Sequence, residues 1–179
     1  IGHPRKSLYN DFLKYCSINW NKVFLISGNH EHYGSGMSTD TDINNIVFKY
    51  NNVYYLNNST FILDNYLILG TTLWYKPLGN ERNFKEIDKK HDNSLTFLRN
   101  NLNSSKNIIV LSHYLPSYKL IVPKYHTAFY KPLQYRYATD LEYMIKPPIK
   151  AWLCGHSHSQ INMNINRVYC GINTFKEEL

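Results

Sequence analysis

His156-Ser157-His158 sets two imidazoles two positions apart, directly after the apolar run Ala151-Trp152-Leu153-Cys154 and a glycine, Gly155. Imidazole nitrogens are donors of intermediate softness, suited to Mn, Fe, Zn or Co. On extended backbone this spacing keeps both rings on one side, whereas in a turn they diverge toward neighbouring ions, and Gly155 is expected to permit the bend. Two other polar clusters have the same setting. Gly28-Asn29-His30-Glu31 follows the apolar run from Val23 to Ser27, and Ser112-His113 ends the run from Ile108 to Leu111. Asn29 offers an amide oxygen as a ligand, and His30 beside it could protonate a departing alkoxide or hold a phosphate oxygen. A strand end holds such groups without strain. Asn29, His113, His156 and His158 together read as a metal-ligand set, yet all four are neutral. Two divalent ions held close together call for a carboxylate as well, so part of the site is expected to lie elsewhere.

Taken one at a time, each cluster has an ordinary alternative. His-x-His also fits surface or hydrogen-bonded histidines, the tetrapeptide around Asn29 fits an Asn-rich turn, and Glu31 fits a loop acid. The three in order, each at the exit of a strand, favour the metal reading. His32 is read as a hydrogen-bonding loop residue and His91 as part of a polar helical stretch. His126 is the remaining histidine best placed to touch a substrate. Tyr33 and Tyr114 flank motif residues and could line a pocket, with packing as the default explanation.

The elements that position these clusters can be read from periodicity. Pro4 opens a helical pattern with Leu8, Phe12 and Cys16 at i, i+4 and i+8, beside Tyr9 and Leu13. It leads into a strand at 22–27. A second helix, capped by Ser38 or Asp40 and carrying Ile43, Ile46, Val47 and Tyr50 on one face, precedes a short strand at 53–56. Strands at 60–63 and 66–70 are separated only by Asp64-Asn65, the chemistry of a tight hairpin, so the sheet is expected to be mixed. A helical stretch within 81–102, with Leu95, Leu98 and Leu102, precedes the strand 108–111. The segment 116–137, broken by Pro116, Pro123 and Pro132, lacks periodicity and reads as a mobile lid. A last helix over 138–145, the strand 151–154 and an antiparallel pair near 160–165 and 167–171 complete the pattern.

Length and composition set the frame. With 179 residues and 43% hydrophobic content, one domain with one good core is expected across 1–179. The formal charge of +7 favours anionic ligands, but the Lys and Arg are scattered and form no stripe, so a nucleic-acid partner is possible without being favoured. Cys16, Cys154 and Cys170 are odd in number and far apart, which argues against a disulfide framework or a Cys-zinc site and fits a cytoplasmic setting. No apolar run reaches the roughly 18 residues a membrane span needs, and no secretory leader is visible, so no membrane association is expected.

The motifs resemble those of the calcineurin-like metallophosphoesterases, which run in order Asp-x-His, Gly-Asp, Gly-Asn-His-Glu or Asp, a histidine at a strand end, and Gly-His-x-His. The last three are present. The connecting segments GTTLW (70–74), SHYLPS (112–117) and AWLCGHSHSQ (151–160) are similar too. The resemblance implies an α/β fold, a four-layer α/β/β/α sandwich of two mixed sheets flanked by helices with the metal site at strand ends. It implies a metal-dependent phosphoester hydrolase that uses a hydroxide bridging two divalent ions (Mn²⁺, Fe²⁺/³⁺ or Zn²⁺). Asn29, His113 and His156 would then bind the second ion, His158 the first, and His30 would be the general acid. The Asp-x-His and Gly-Asp motifs are absent from this chain. Ile1-Gly2 matches the point just after the bridging Asp of the family's usual Gly-Asp-Ile-Gly, so the chain is expected to be a fragment lacking its first strand and first motifs. His3 receives no role. The alternative is a non-catalytic binding or scaffold module that keeps the fold and at most one metal; a nucleic-acid-binding protein ranks behind both.

Overall fold

Alternating strands and helices with one hairpin insertion produce two sheets in the computed structural model, which describes residues 1–33, 39–81 and 83–172. The chain divides into two compact units, Ile1–Asn57 and Asn58–Leu179. In the first, helix α1 (Ser7–Asn19) leads to β1 (Val23–Leu25), a single turn α2 (Asn29–His32), α3 (Thr39–Val47) and β2 (Val53–Tyr55). β1 and β2 pair in parallel, Val23 opposite Val53 and Leu25 opposite Tyr55. Tyr9, Leu13, Leu25, Ile43, Val47 and Val53 form the core of this unit.

The buried face of α1 differs from the one expected. Tyr9, Leu13 and Cys16 turn inward, while Leu8 and Phe12 are 67% and 45% exposed. Both stripes satisfy a helical period, and only contact with Leu25, Ile43 and Val53 selects between them. The expected face of α3 does pack inward, with Ile43 and Val47 buried and Ile46 and Tyr50 against the same core. Ser38, one of the two candidate caps, lies outside the described residues.

The second unit holds a six-stranded sheet in the order β3-β4-β5-β6-β8-β7. The hairpin of β3 (Ser59–Leu63) and β4 (Tyr66–Thr71) turns at Asp64, whose φ of 53° is the left-handed geometry that Asp and Asn tolerate. β4, β5 (Asn107–Ser112), β6 (Ile149–Cys154) and β8 (Val168–Ile172) run parallel to one another. The edge strand β7 (Ile161–Ile165) pairs antiparallel with β8 through a turn at Asn166 and Arg167. The sheet is therefore mixed, as the hairpin and the closing pair require, and the chain has the α/β class with two sheets and helices.

Parallel strands are covered on their faces and read as near-continuous apolar runs, as Ile108 to Leu111 does. Helix α4 (Phe84–Asn101) contributes His91, Ser94 and Leu98 as its buried residues, with Leu95 and Leu102 packed at the margin. His91 is thus not part of a polar surface. It is 3% exposed and its Nδ1 lies 2.5 Å from the Trp74 carbonyl.

Two expectations fail in the segment between β5 and β6. The stretch 116–137 is not structureless but forms three short 3₁₀ turns, and Leu120 and Ile121 near its start are core residues. No helix forms over 138–145. The backbone there bonds sideways instead: Thr139 N–H donates to the Leu115 carbonyl at 3.0 Å and Leu141 N–H to the Pro116 carbonyl at 2.9 Å. Further on, only isolated i→i−3 turns form, Met144 N–H to the Leu141 carbonyl at 2.8 Å and Ile145 N–H to the Glu142 carbonyl at 3.1 Å.

Beneath the exits of β5 and β6, Trp152 is wholly buried and donates its indole N–H to Ser112 Oγ at 2.9 Å, while Ser112 donates to the Tyr114 carbonyl at 2.8 Å. Ser112→Ala should leave the indole donor unpaired and cost about 1–3 kcal/mol, read as a lowered denaturation midpoint; an unchanged midpoint would show that the bond carries no weight. Burial holds the His91 imidazole below its ordinary pKa, against the opposing pull of the Trp74 carbonyl. The unfolded chain therefore binds a proton that the folded chain refuses, and stability should fall as pH drops below about 6.5. His91→Gln should flatten that part of the stability-versus-pH curve, whatever it costs at pH 8.

Candidate metal centre

In the first unit, the chain leaves β1 through Ser27 and Gly28 and turns at once into α2. Glu31 organises this turn. It is buried, and its Oε2 accepts from the Gly28 N–H at 2.9 Å while Oε1 accepts from the Gly2 N–H at 3.1 Å. A carboxylate reaching back to the N–H groups ahead of a helical turn satisfies donors that the turn leaves open. Glu31 thus has a definite structural task in place of an ordinary loop position. Asn29, 6% exposed, donates its side-chain Nδ2 to the Tyr33 hydroxyl at 2.5 Å, which fixes the orientation of the amide. His30 is exposed and its ring stands 5.0 Å from that of Tyr33. His32 Nε2 approaches Ser27 Oγ at 3.2 Å, in keeping with its reading as a loop residue. Arg5 N–H donates to His3 Nδ1 at 3.2 Å, a local contact.

In the second unit, β5 and β6 are adjacent and parallel with Leu111 opposite Leu153, so their carboxyl ends leave the sheet at the same edge. Such edges are where open α/β sheets bind ligands. His113 follows β5 directly, and the Gly155 N–H donates to its carbonyl at 3.1 Å, extending the strand pairing past the last regular residue. His113 Nε2 and His156 Nδ1 are consequently only 3.0 Å apart. Tyr114, almost fully buried, packs its ring 4.3 Å from that of His156, and Tyr137 lies 5.3 Å away on the same ring. Packing is therefore the observed role of Tyr114.

The bend does not reside at Gly155, as expected from its residue type. His156 and His158 themselves adopt positive φ, 64° and 48°, and the Ser157 N–H closes a three-residue turn onto the Gly155 carbonyl at 2.8 Å. A non-glycine residue at the centre of such a turn is strained, and strain of this kind persists where the surroundings over-determine it. Here the surroundings are visible: His156 Nε2 reaches the Arg136 carbonyl at 3.1 Å. A carbonyl can only accept, so Nε2 carries the hydrogen and Nδ1 of the neutral ring presents its lone pair to His113. At Gly155 an added Cβ would meet His113 Nδ1 at 3.7 Å and its carbonyl at 3.8 Å, ordinary contact distances.

His113 and His156 are thus brought together and oriented, and His158 follows two residues on, exposed. His126 is engaged within its own segment: its Nε2 lies 2.9 Å from the Ile121 carbonyl and its Nδ1 3.4 Å from Gln134 Nε2. Among the described residues no three His, Cys, Asp or Glu side chains gather to enclose an ion. The His113–His156 pair nevertheless fits one. Two nitrogens each about 2.0–2.1 Å from a common ion, at an angle between the octahedral and tetrahedral values, stand roughly 2.8–3.4 Å apart, which brackets the observed separation. Cys154 and Cys170 do not join this set; burial pushes the Cys170 thiol up to about 11 and the Cys154 thiol higher still, so neither offers a thiolate at neutral pH.

The carbonyl that orients His156 belongs to a segment pinned by residues that sequence reasoning passed over. Glu81 accepts from the hydroxyls of Tyr75 and Tyr135, each at 2.6 Å, and from the Leu78 N–H at 3.1 Å. Burial alone would raise its pKa, but these hydrogen bonds outweigh it and hold the carboxyl below the ordinary Glu range. No local pattern links Glu81 to Tyr135, 54 residues away. Among the described residues, no helix is long and apolar enough to cross a membrane.

The chain is 26% identical over 193 aligned positions to an uncharacterized protein, L509, of Acanthamoeba polyphaga mimivirus, an alignment covering 88% of this chain and 69% of that protein. A crystal structure with a TM-score of 0.60 and 11% identity covers 90% of this chain and shares its fold; this chain spans 61% of the length of that one. A proposed 5′-nucleotidase from Staphylococcus aureus, solved with alpha-ketoglutarate, aligns at a TM-score of 0.45 and 15% identity over 96% of this chain and 37% of its own, too low a similarity to carry an argument. The sequence pattern of the calcineurin-like phosphoesterases matches residues 3–160. With most of its length matched, and with Gly-Asn-His-Glu, the strand-end His113 and Gly-His-x-His all inside that span, this chain belongs to the calcineurin-like phosphoesterase family, whose members are metal-dependent phosphoester hydrolases.

Proposed function

We propose that this chain belongs to a two-cation phosphoester hydrolase. The observation that supports it is the pair of imidazole nitrogens 3.0 Å apart at the ends of adjacent parallel strands, where an ion of the Mn, Fe or Zn kind fits both. Bound divalent cations supply Lewis-acid polarisation of the phosphoryl oxygens and activation of water at neutral pH. His113 Nε2 and His156 Nδ1 are the side-chain atoms we assign to one cation. The family resemblance names Asn29 and His158 as further metal ligands.

His30 is assigned the proton that the departing alkoxide needs. It is exposed, and it stands next to Asn29 on a turn whose geometry Glu31 sets. An imidazole placed so can serve as general acid without help from a buried network. Tyr114 and Tyr137 pack their rings beside that of His156 and limit how it can turn. The phosphoester is left as a class, since no residue described above reads the group attached to phosphorus. A second reading, a non-catalytic module holding a single cation, is favoured by the fact that only two of the assigned ligands meet within unit 2.

Metal analysis of the full-length protein, with hydrolysis of an aryl phosphate monoester and diester, separates the two. We expect bound Mn, Fe or Zn and metal-stimulated turnover; metal without turnover on either ester would favour the module. His113→Ala and His156→Ala should each lower metal content and turnover together, and equal turnover by wild type and His156→Ala would defeat the assignment. His30→Ala should keep the metal and reduce kcat by about 10²–10⁴-fold, the usual worth of a general acid; loss of metal in that variant would instead place His30 among the ligands.

A further inference from the structure

Glu81 is a nearly buried carboxylate for which the chemistry above has no use. Its side chain is 10% exposed, and all of its close partners can be named. The Tyr75 hydroxyl binds Oε2; the Tyr135 hydroxyl and the Leu78 N–H bind Oε1, with Arg136 Nη2 3.9 Å from the same oxygen. Tyr135 Oη in turn accepts from Arg136 Nε at 3.0 Å. These contacts tie the end of the 3₁₀ turn Lys131–Arg136 to the loop ahead of α4. On the other side of Arg136, the Tyr137 carbonyl accepts from the Leu115 N–H at 3.1 Å. The peptide carbonyl of Arg136 is therefore clamped from both directions, and it is this carbonyl that meets His156 Nε2 at 3.1 Å.

We infer that Glu81 is a positioning residue for the metal centre: through Tyr135 and Arg136 it holds the Arg136 carbonyl against His156 Nε2, which keeps the hydrogen on Nε2 and leaves Nδ1 facing His113 as a ligand. The inference rests on the reading of His156 as a metal ligand. A histidine ligand whose second nitrogen is held by a carbonyl keeps one tautomer and one ring orientation, and loss of such a partner typically costs about 10–100-fold in metal affinity. Glu81 is suited to the task because a carboxylate accepts from both hydroxyls at once. An alanine there accepts from neither hydroxyl, so both arms of the clamp open.

The test uses the full-length protein. Nitrogen-15 histidine spectra of the metal-free protein report the His156 tautomer directly, and titration with Zn²⁺ or Mn²⁺ reports affinity. Wild type should show the Nε2–H form at His156. Glu81→Ala and Tyr135→Phe should both populate the other tautomer and bind the cation about 10–100-fold more weakly. Tyr75→Phe, which removes a bond to the same carboxylate without touching the Lys131–Arg136 turn, should leave the tautomer in place, a distinction that a merely structural Glu81 would not produce. Tyr135→Phe removes one hydroxyl and keeps the test open should Glu81→Ala fail to fold. An unchanged His156 tautomer in Tyr135→Phe would overturn the proposal. If instead His156→Ala binds the cation as wild type does, the ligand reading fails, and the tautomer spectra still decide whether Glu81 orients the ring.

Discussion

The parallel pairing of β5 with β6 is the constraint on which the second unit depends. Because these strands run in the same direction with Leu111 beside Leu153, both chain exits appear at one edge, and the hydrogen bond from Gly155 to the His113 carbonyl carries the register one step further. Without that register His113 and His156, 43 residues apart in sequence, would have no reason to face one another. The pairing is secured below by Trp152, whose indole bonds across to Ser112 at the end of the neighbouring strand. Core contact and site contact are thus one residue apart after β5, Ser112 and His113, and four apart after β6, Trp152 and His156. Disturbing the first misplaces the second, since packed cores transmit small shifts.

Orientation costs more than proximity. Two imidazoles could approach at 3.0 Å in several tautomers, only some of which present a lone pair between them. The Arg136 carbonyl selects one. It can do so because the strained backbone at His156 turns the ring toward the 131–136 turn, and because the longer stretch 116–137 is anchored by Leu120 and Ile121 near its start and by Glu81, Tyr75 and Tyr135 near its end. What reads in sequence as a structureless, proline-broken loop is in part a brace for the site. Its middle, with Phe129 at 77% exposed, remains open to solvent.

In the first unit the same economy appears in Glu31. Its position in the family motif invites a role beside the metal, yet its oxygens serve the N–H groups of Gly28 and Gly2. By shaping the turn it determines where Asn29 and His30 stand, so its influence on chemistry is indirect. Tyr33, marked in the sequence only as a flanking residue with packing as its default role, completes the arrangement by accepting from Asn29.

Much of this was legible in the residues alone. The hairpin at Asp64-Asn65, the strands leading to each polar cluster, the closing antiparallel pair and the three motifs are local patterns, and local physics decides them. The face that α1 buries was not legible, because its two apolar stripes are equivalent until Leu25, Ile43 and Val53 pack against one of them. Nor was the absence of a helix over 138–145, a stretch that Thr139 and Leu141 tie to Leu115 and Pro116. The tautomer of His156, the burial of His91 and the clamp at Glu81 belong to the same class. Composition and spacing determined which side chains could bind a cation; the pairing of distant strands and the hydrogen bonds between distant loops decided which nitrogen faces which, since such contacts form only when the folded chain closes them.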